Sequence, residues 1–434
     1  MKLTNIGGAT AILEHRGKRM LFDPWLNEGI LYGSWYHYPP LKMGLKDIGH
    51  LDYIYISHIH EDHCAPGTIQ HLNRDAEIIV MDREPQIPNY VTKFLTTYGF
   101  NFQKIHRIRP HTPQEIGPGM IVDMVEADPQ HEYNYLIDSG LILKWDGFTL
   151  YNANDCAPYD GGIEYVRKTH GKVDLAMLPY SGGSGYPGCY SNLSHEEKLH
   201  EKKRIFDAAM KHFVHTVRSL NPKRVMPFAD QYVIGGSKYL LNQYSPHPPC
   251  PGYCVEPLRE VGLAEKLLVL NSAQTFNFET GRKAPDEPYH MFTEDDRTAY
   301  ARTLADNKYV HDQFQFNLGV PVNRLLSAAR DRLWRMQQKE NYLPDCRLYI
   351  DTPDRQQRFE IDFGSKNVVE REFNGSEKLK SPYVRLTTSS TLLTMMLINH
   401  VNWNMADGSL LLDYERVPNV YDPKFYAFLN YLIV

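Results

Sequence analysis

Ser57-His58-Ile59-His60-Glu61-Asp62-His63 follows directly on the apolar run Tyr53-Ile54-Tyr55-Ile56, so three imidazoles and the Asp62 carboxylate leave what reads as a buried strand. Imidazole nitrogen and carboxylate oxygen are ligands of zinc and iron. A short loop leaving a strand can aim such side chains at one point beyond the strand's carboxyl end. His58 and His60, two residues apart, can converge on one ion, while Asp62 and His63 turn toward a second. A polar loop with chance histidines is the alternative, because the chain holds 19 histidines in 434 residues. The density of ligands directly after an apolar strand favours the metal.

Further candidates stand at other strand ends. Gly119 to Glu126 alternates as a strand and leads into a loop bearing His131. Leu141–Trp145 and Phe148–Tyr151 form a hairpin about Asp146-Gly147 that ends at Asp155. Lys223 to Phe228 reads as another strand, ending at Asp230. On donor chemistry His58, His60 and His131 offer one ion three nitrogens. Asp62, His63 and Asp230 offer a second an oxygen-rich site, with Asp155 bridging and with Asp62 and Asp155 the catalytic candidates. Such a site leans from zinc toward iron or manganese. Trp35 and His37, in the aromatic Gly33–Pro40 stretch, and Tyr180, before the glycine-rich Ser181–Gly185 loop, are the pocket candidates. Gly33–Pro40 itself reads as too polar and Pro-rich for a core element.

His58-x-His60-x-Asp62-His63 resembles the signature of the metallo-β-lactamase superfamily. Together with Leu21–Leu26, Gly33-Ser34-Trp35, Asn152–Cys156 and Pro227–Asp230, it makes about the first 270 residues similar to the branch of CMP-N-acetylneuraminate and UDP-N-acetylmuramate hydroxylases. The resemblance implies an αββα sandwich. It implies that Asp23, at the end of Met20-Leu21-Phe22, steadies the histidine loop from behind, where the residues alone allow an ordinary turn former. It also implies oxygen insertion into a small polar or nucleotide-linked substrate, with electrons relayed through a Rieske cluster. The sequence holds no Cys-x-His followed by Cys-x-x-His to carry that cluster, so a separate ferredoxin or reductase is the expected donor. Hydrolytic relatives place a histidine near the strand that here ends at Asp230. The expected function is therefore a dinuclear, iron-dependent oxygenase. The alternative is a zinc- or manganese-dependent hydrolase using a metal-bridging hydroxide.

Composition bounds the rest. Hydrophobic residues at 42% and charged residues at 23% are those of a globular protein, and a net charge of -5 with both signs interspersed advertises no surface for nucleic acid. No run reaches the roughly 18 apolar residues of a membrane span, and the N-terminus lacks a signal-like apolar core, which leads to a cytoplasmic expectation. Six scattered cysteines form no disulfide framework, and Cys250-x-x-x-Cys254 after His247 is at most half a zinc site. The length predicts two domains, 1–280 with the metal site wholly inside it and 290–434 beyond a linker at Ala284–Pro288. Val322–Met336, Thr391–Ile398 and Pro423–Leu432 read as helices of the second part, and Cys346–Ile350 and Arg358–Phe363 as strands. The pattern resembles a sterol-carrier-protein-2-like α/β module, with an accessory domain that packs on the first as the plainer reading.

Overall fold

The computed structural model describes all residues except 129–136, 184, 314–318 and 376. Two sheets face each other in the first part of the chain. One orders its strands Arg282–Ala284, Thr275–Asn277, Lys2–Gly7, Thr10–His15, Lys18–Phe22, Tyr53–Tyr55, Glu77–Met81 and Lys104–Ile108. The other orders Arg224–Pro227, Leu175–Leu178, Phe148–Asn152, Ser139–Trp145, Met120–Glu126 and Gln114–Gly117. Side chains alternate across each strand, and that alternation builds three apolar interfaces between layers. Leu13, Met20, Phe22, Tyr55, Leu141 and Leu143 meet between the sheets. Ile12, Leu21, Ile54 and Ile56 turn outward onto Ile69, Val91 and Leu95, whereas Ile142, Ala176 and Val225 turn onto Val166, Phe213 and Val217 of the opposite helical layer. This is the αββα sandwich expected from the sequence.

Local signals set several boundaries. The helix His195–Leu220 opens on a capping box in which Ser194 accepts from the Glu197 N–H and Glu197 reaches back to the Ser194 N–H, and it stops at Asn221 in the left-handed region. Residues 2–22 form a three-strand meander. A first turn at Gly7-Gly8 separates Lys2–Gly7 from Thr10–His15, and Gly8 adopts φ +55°.

Gly33–Pro40 corrects another expectation. Trp35–His37 is a buried strand paired antiparallel with Tyr232–Ile234. Its polar atoms are satisfied, which is what makes burial affordable: His37 Nδ1 lies 3.0 Å from Glu28 Oε1 and its Nε2 3.2 Å from the Trp25 carbonyl.

In the C-terminal part a five-stranded sheet orders Val368–Glu372, Gln357–Asp362, Arg347–Thr352, Tyr383–Thr387 and Asp413–Val417, with the helices Val322–Glu340, Ser390–Leu397 and Pro423–Leu429 completing an α/β unit. The segment 285–290, expected as a linker, is tied to the first part. Asn271 and Gln274 hold the backbone of residues 285, 287, 288 and 290. The next helix, Glu294–Thr303, is bound to the first part through Arg297, which donates to the His247 and Asn242 carbonyls. The elements of the second unit itself begin at Val322. Its core runs on without a break into Trp25, Ile30, Leu31, Trp35 and Tyr232 of the first part. No helix among the described residues is long and apolar enough to cross a membrane.

Candidate metal centre

Parallel pairing of Lys18–Phe22, Tyr53–Tyr55 and Glu77–Met81 in one sheet, and of Phe148–Asn152, Leu175–Leu178 and Arg224–Pro227 in the other, brings their carboxyl ends to one edge of the sandwich. Asp23, the His58–His63 loop, Asp155, Tyr180 and Asp230 follow those ends. Asp23 (φ +41°), Asn154 (φ +41°) and Ala229 (φ +75°) all sit in the left-handed region, so backbone is bent unfavourably at or beside three of the site's carboxylates.

His58 Nε2 and His60 Nδ1 converge to 2.9 Å. His63 Nε2 lies 3.3 Å from Asp62 Oδ2 and 3.2 Å from Asp155 Oδ2, close enough for ion pairing but without the alignment of a hydrogen bond. Ligand atoms of His58, His63 and Asp155 fall within 4.8 Å of one another, the one such metal-capable group among the described residues. Behind them, Asp23 accepts from the Ser57 N–H at 2.7 Å and the Ser57 hydroxyl at 3.0 Å, and stands 3.0 Å from His63 Nδ1. Those bonds pin the loop and turn the other ring nitrogen of His63 to the centre.

Electrostatics point the same way. Burial and the neighbouring histidines push His58 well below its ordinary value, and burial is also the main cause that lowers His60. Burial works against a charged His63, yet Asp155, Asp62 and Asp23 together hold it well above the ordinary imidazole range. Burial would raise Asp62, but His63 outweighs it and the net shift is downward. Asp138 is pushed well above the carboxylate range, by burial first and Asp155 second. Its Oδ1 has no hydrogen-bond partner and lies 3.8 Å from His58 Nε2. Five buried or half-buried carboxylates thus surround three imidazoles, with a His63 nitrogen and an Asp138 oxygen unsatisfied. A cation held by His58, His63 and Asp155 would neutralise that surplus and take up the orphaned His63 nitrogen, so the residues present fit a metal.

The other candidates fare differently. Asp230 reaches the edge of the cluster: its Oδ2 accepts from the Tyr180 and Ser181 N–H groups at 3.0 and 2.9 Å, and burial, then Asp155, push it up to about 7. His131 lies outside the described residues. His37 is a correction, for it is 1% exposed, stacked on Trp25 at 3.7 Å with both nitrogens engaged, and offers nothing to a pocket. Trp35 stacks on Tyr232 and donates from Nε1 to the Gly408 carbonyl, clasping the C-terminal part. Tyr180 lines a small cavity with Asn5, Met226 and Gln231. Cys250 and Cys254 are buried free thiols and join no metal-capable group among the described residues.

Two residues escaped the sequence reading. Asp138 precedes Ser139–Trp145, which runs antiparallel to its neighbours, so the start of that strand shares the edge where the others end. A search confined to residues after strands passes over it. Asn404 comes from the C-terminal part and sets its Oδ1 3.2 Å from His60 Nε2, so the centre is not enclosed by the first part alone.

An αββα sandwich with histidine and carboxylate ligands on one edge defines a protein of the metallo-β-lactamase fold. Residues 18–228 match the beta-lactamase superfamily domain. A Mycolicibacterium smegmatis protein bearing the Rieske 2Fe-2S iron-sulfur name is 31% identical over 194 residues, 44% of this chain and 36% of that protein. Cytidine monophosphate-N-acetylneuraminic acid hydroxylase of Danio rerio is 29% identical over 246 residues, 53% of this chain and 38% of the hydroxylase. The chain thus spans well under half the length of these curated relatives. Among solved structures, CmlA, a diiron beta-hydroxylase from Streptomyces venezuelae, aligns at 15% identity and TM-score 0.43, covering 64% of this chain and 54% of CmlA. Igni18, a metallo hydrolase from Ignicoccus hospitalis, aligns at 21% and TM-score 0.43, covering 64% and 98%.

Proposed function

We propose that the chain is a metal-dependent oxygenase of the hydroxylase kind, acting on a small polar or nucleotide-linked substrate with electrons from a separate donor. The donor set carries this reading. Three carboxylates, Asp62, Asp155 and Asp230, stand with the imidazoles, and among the described residues no thiolate joins the clustered side chains, an oxygen-rich set that favours iron over zinc. Similarity to a sialic acid hydroxylase over 246 residues supports the same chemistry, and similarity to a Rieske-named protein supports an iron–sulfur electron donor. His58, His60, His63, Asp62 and Asp155 would hold the metal, with His131 and Asp230 as further ligands; two irons bound there would supply the redox chemistry of oxygen insertion.

The chain's own residues do the arranging. Asp23 fixes the ring of His63, and Ser57 Oγ, 3.0 Å from His58 Nδ1, steadies that of His58. Asp230 accepts two backbone N–H groups through Oδ2, and its carboxyl feels the charges of Asp155 and His63. Elemental analysis of aerobically and anaerobically purified protein, followed by turnover under isotopically labelled dioxygen with a chemical reductant, tests the proposal. About two irons per chain and reductant-dependent uptake of label into product are expected. Two zincs with reductant-independent turnover would replace it with a metallo-hydrolase.

A further inference from the structure

His60 is gripped from both sides of the interface between the two halves. Its Nδ1 meets His58 Nε2 at 2.9 Å, while its Nε2 meets Asn404 Oδ1 at 3.2 Å. An amide oxygen can only accept, so His60 carries its proton on Nε2 and keeps the Nδ1 lone pair for the point it shares with His58.

Asn404 is itself held firmly. It lies in the first turn of Trp403–Gly408, whose N-terminus Asn402 caps by accepting from the Asn404 and Met405 N–H groups. Trp403 is buried and donates to the Leu432 carbonyl. Three neighbouring residues of the first part then clamp the helix: Tyr32 OH accepts from the Asn402 N–H at 3.0 Å, Ser34 donates to the Ser409 carbonyl at 2.6 Å, and Trp35 donates to the Gly408 carbonyl at 3.2 Å. The clamp also hooks onto the histidine loop, because the Leu31 N–H donates to the Glu61 carboxylate. Leu31, Tyr32 and Gly33 all have positive φ, at 51°, 62° and 89°, a strained run whose effect is to place these contacts. The loop, the clamp and the helix close a ring around His60.

We propose that Asn404 is a positioning residue for the metal centre, supplied by the C-terminal part: it accepts the His60 Nε2–H and so presents Nδ1 to the ion shared with His58. The inference rests on the metal-centre reading above and deepens it, since the centre is then complete only when the second part is docked.

The test uses the full chain with zinc as the probe. Parent, Asn404→Leu and Asn404→Asp proteins are compared by chelator competition and by nitrogen-edited NMR of the His60 ring. Loss of the acceptor in Asn404→Leu should weaken zinc binding about 10- to 100-fold and abolish the Nε2–H signature of His60. The aspartate, an unambiguous acceptor, should restore both to near parent values. Should Asn404→Leu fail to fold, Asn404→Gln carries the comparison, with the acceptor displaced by one methylene and an intermediate loss expected. A leucine or glutamine variant that binds zinc as tightly as the parent, with the same His60 tautomer, overturns this inference alone. A parent protein that binds no metal at all overturns the metal-centre reading and this inference with it.

Discussion

Replacing Asp23 by Asn separates a metal-positioning role from a purely structural one. The carboxylate is fully buried and makes three contacts: the Ser57 N–H, the Ser57 hydroxyl and His63 Nδ1. Asn keeps the shape and tolerates the left-handed backbone at φ +41°, so no new strain arises. One oxygen still accepts from the Ser57 N–H. The other becomes a donor facing Ser57 Oγ, which can turn, and His63 Nδ1, which can accept only by moving its own proton to Nε2, the atom aimed at the metal. That move disables a ligand and should cost about 10- to 100-fold in metal affinity, or about 1.4–2.7 kcal/mol. The apoprotein should suffer less. Burial already raises the Asp23 carboxyl above its ordinary range, so losing the charge also relieves a desolvation cost, and a net change within about 1 kcal/mol is expected. Chelator competition measures the first quantity and urea unfolding of metal-free protein the second. Unchanged affinity with an apoprotein weakened by more than about 3 kcal/mol would refute the reasoning and make Asp23 a core brace.

Three further perturbations bear on the C-terminal part and its clamp. Arg358 and Asp351 form a bidentate buried pair at 2.6 and 2.7 Å, so Arg358→Met should destabilise by about 3–5 kcal/mol by stranding Asp351, and adding Asp351→Leu should recover most of it in urea unfolding. Gly33→Ala should cost about 1–3 kcal/mol in thermal unfolding, since a Cβ there would stand 2.9 Å from the Lys308 carbonyl at φ +89°; an unchanged melting temperature would speak against the close approach. Burial raises the Asp407 carboxyl from 3.8 to about 6, against opposing pulls from Tyr414 and Arg416. Between those values the folded chain binds a proton the unfolded chain has released, so stability falls as pH rises through the window and the penalty is complete above about 6. Asp407→Asn should therefore stabilise by about 2 kcal/mol at pH 7.5, as partial exposure trims the full shift, and hardly at all at pH 4; equal gains at both would contradict this.

What could be read from the sequence was what local chemistry dictates. The ligand loop follows its strand, and the apolar patterns of Val322–Met336, Thr391–Ile398 and Pro423–Leu432 mark the helices Val322–Glu340, Ser390–Leu397 and Pro423–Leu429. What could not be read depends on contacts distant in the chain. Trp35–His37 looks like a polar loop because its partners, Tyr232–Ile234 and Glu28, are unknown until the chain folds. The strands Val368–Glu372 and Tyr383–Thr387 went unread because the first is a charged, exposed edge and the second follows a proline. Asp138 hides at the start of an antiparallel strand, and Asn404 lies 344 positions from the ring it touches.

These distant contacts account for where the strain lies. Left-handed backbone at Asp23, Asn154 and Ala229 sits at or beside the carboxylates Asp23, Asp155 and Asp230, and a second group at Leu31 and Tyr32 lies in the clamp that seats Asn404. Each such position costs of order 1 kcal/mol and persists only where its surroundings fix it. Around the centre the surroundings are the buried sheet edges; around the clamp they are the core that Ile30, Leu31 and Trp35 share with Leu393, Trp403 and Leu432. A C-terminal part that merely decorated the first would have no reason to sustain strain at its point of contact with the histidine loop. Its apolar core instead holds Tyr32 and Trp35 in the positions that set helix Trp403–Gly408 over His60, so the second part is packed as a structural member of the site.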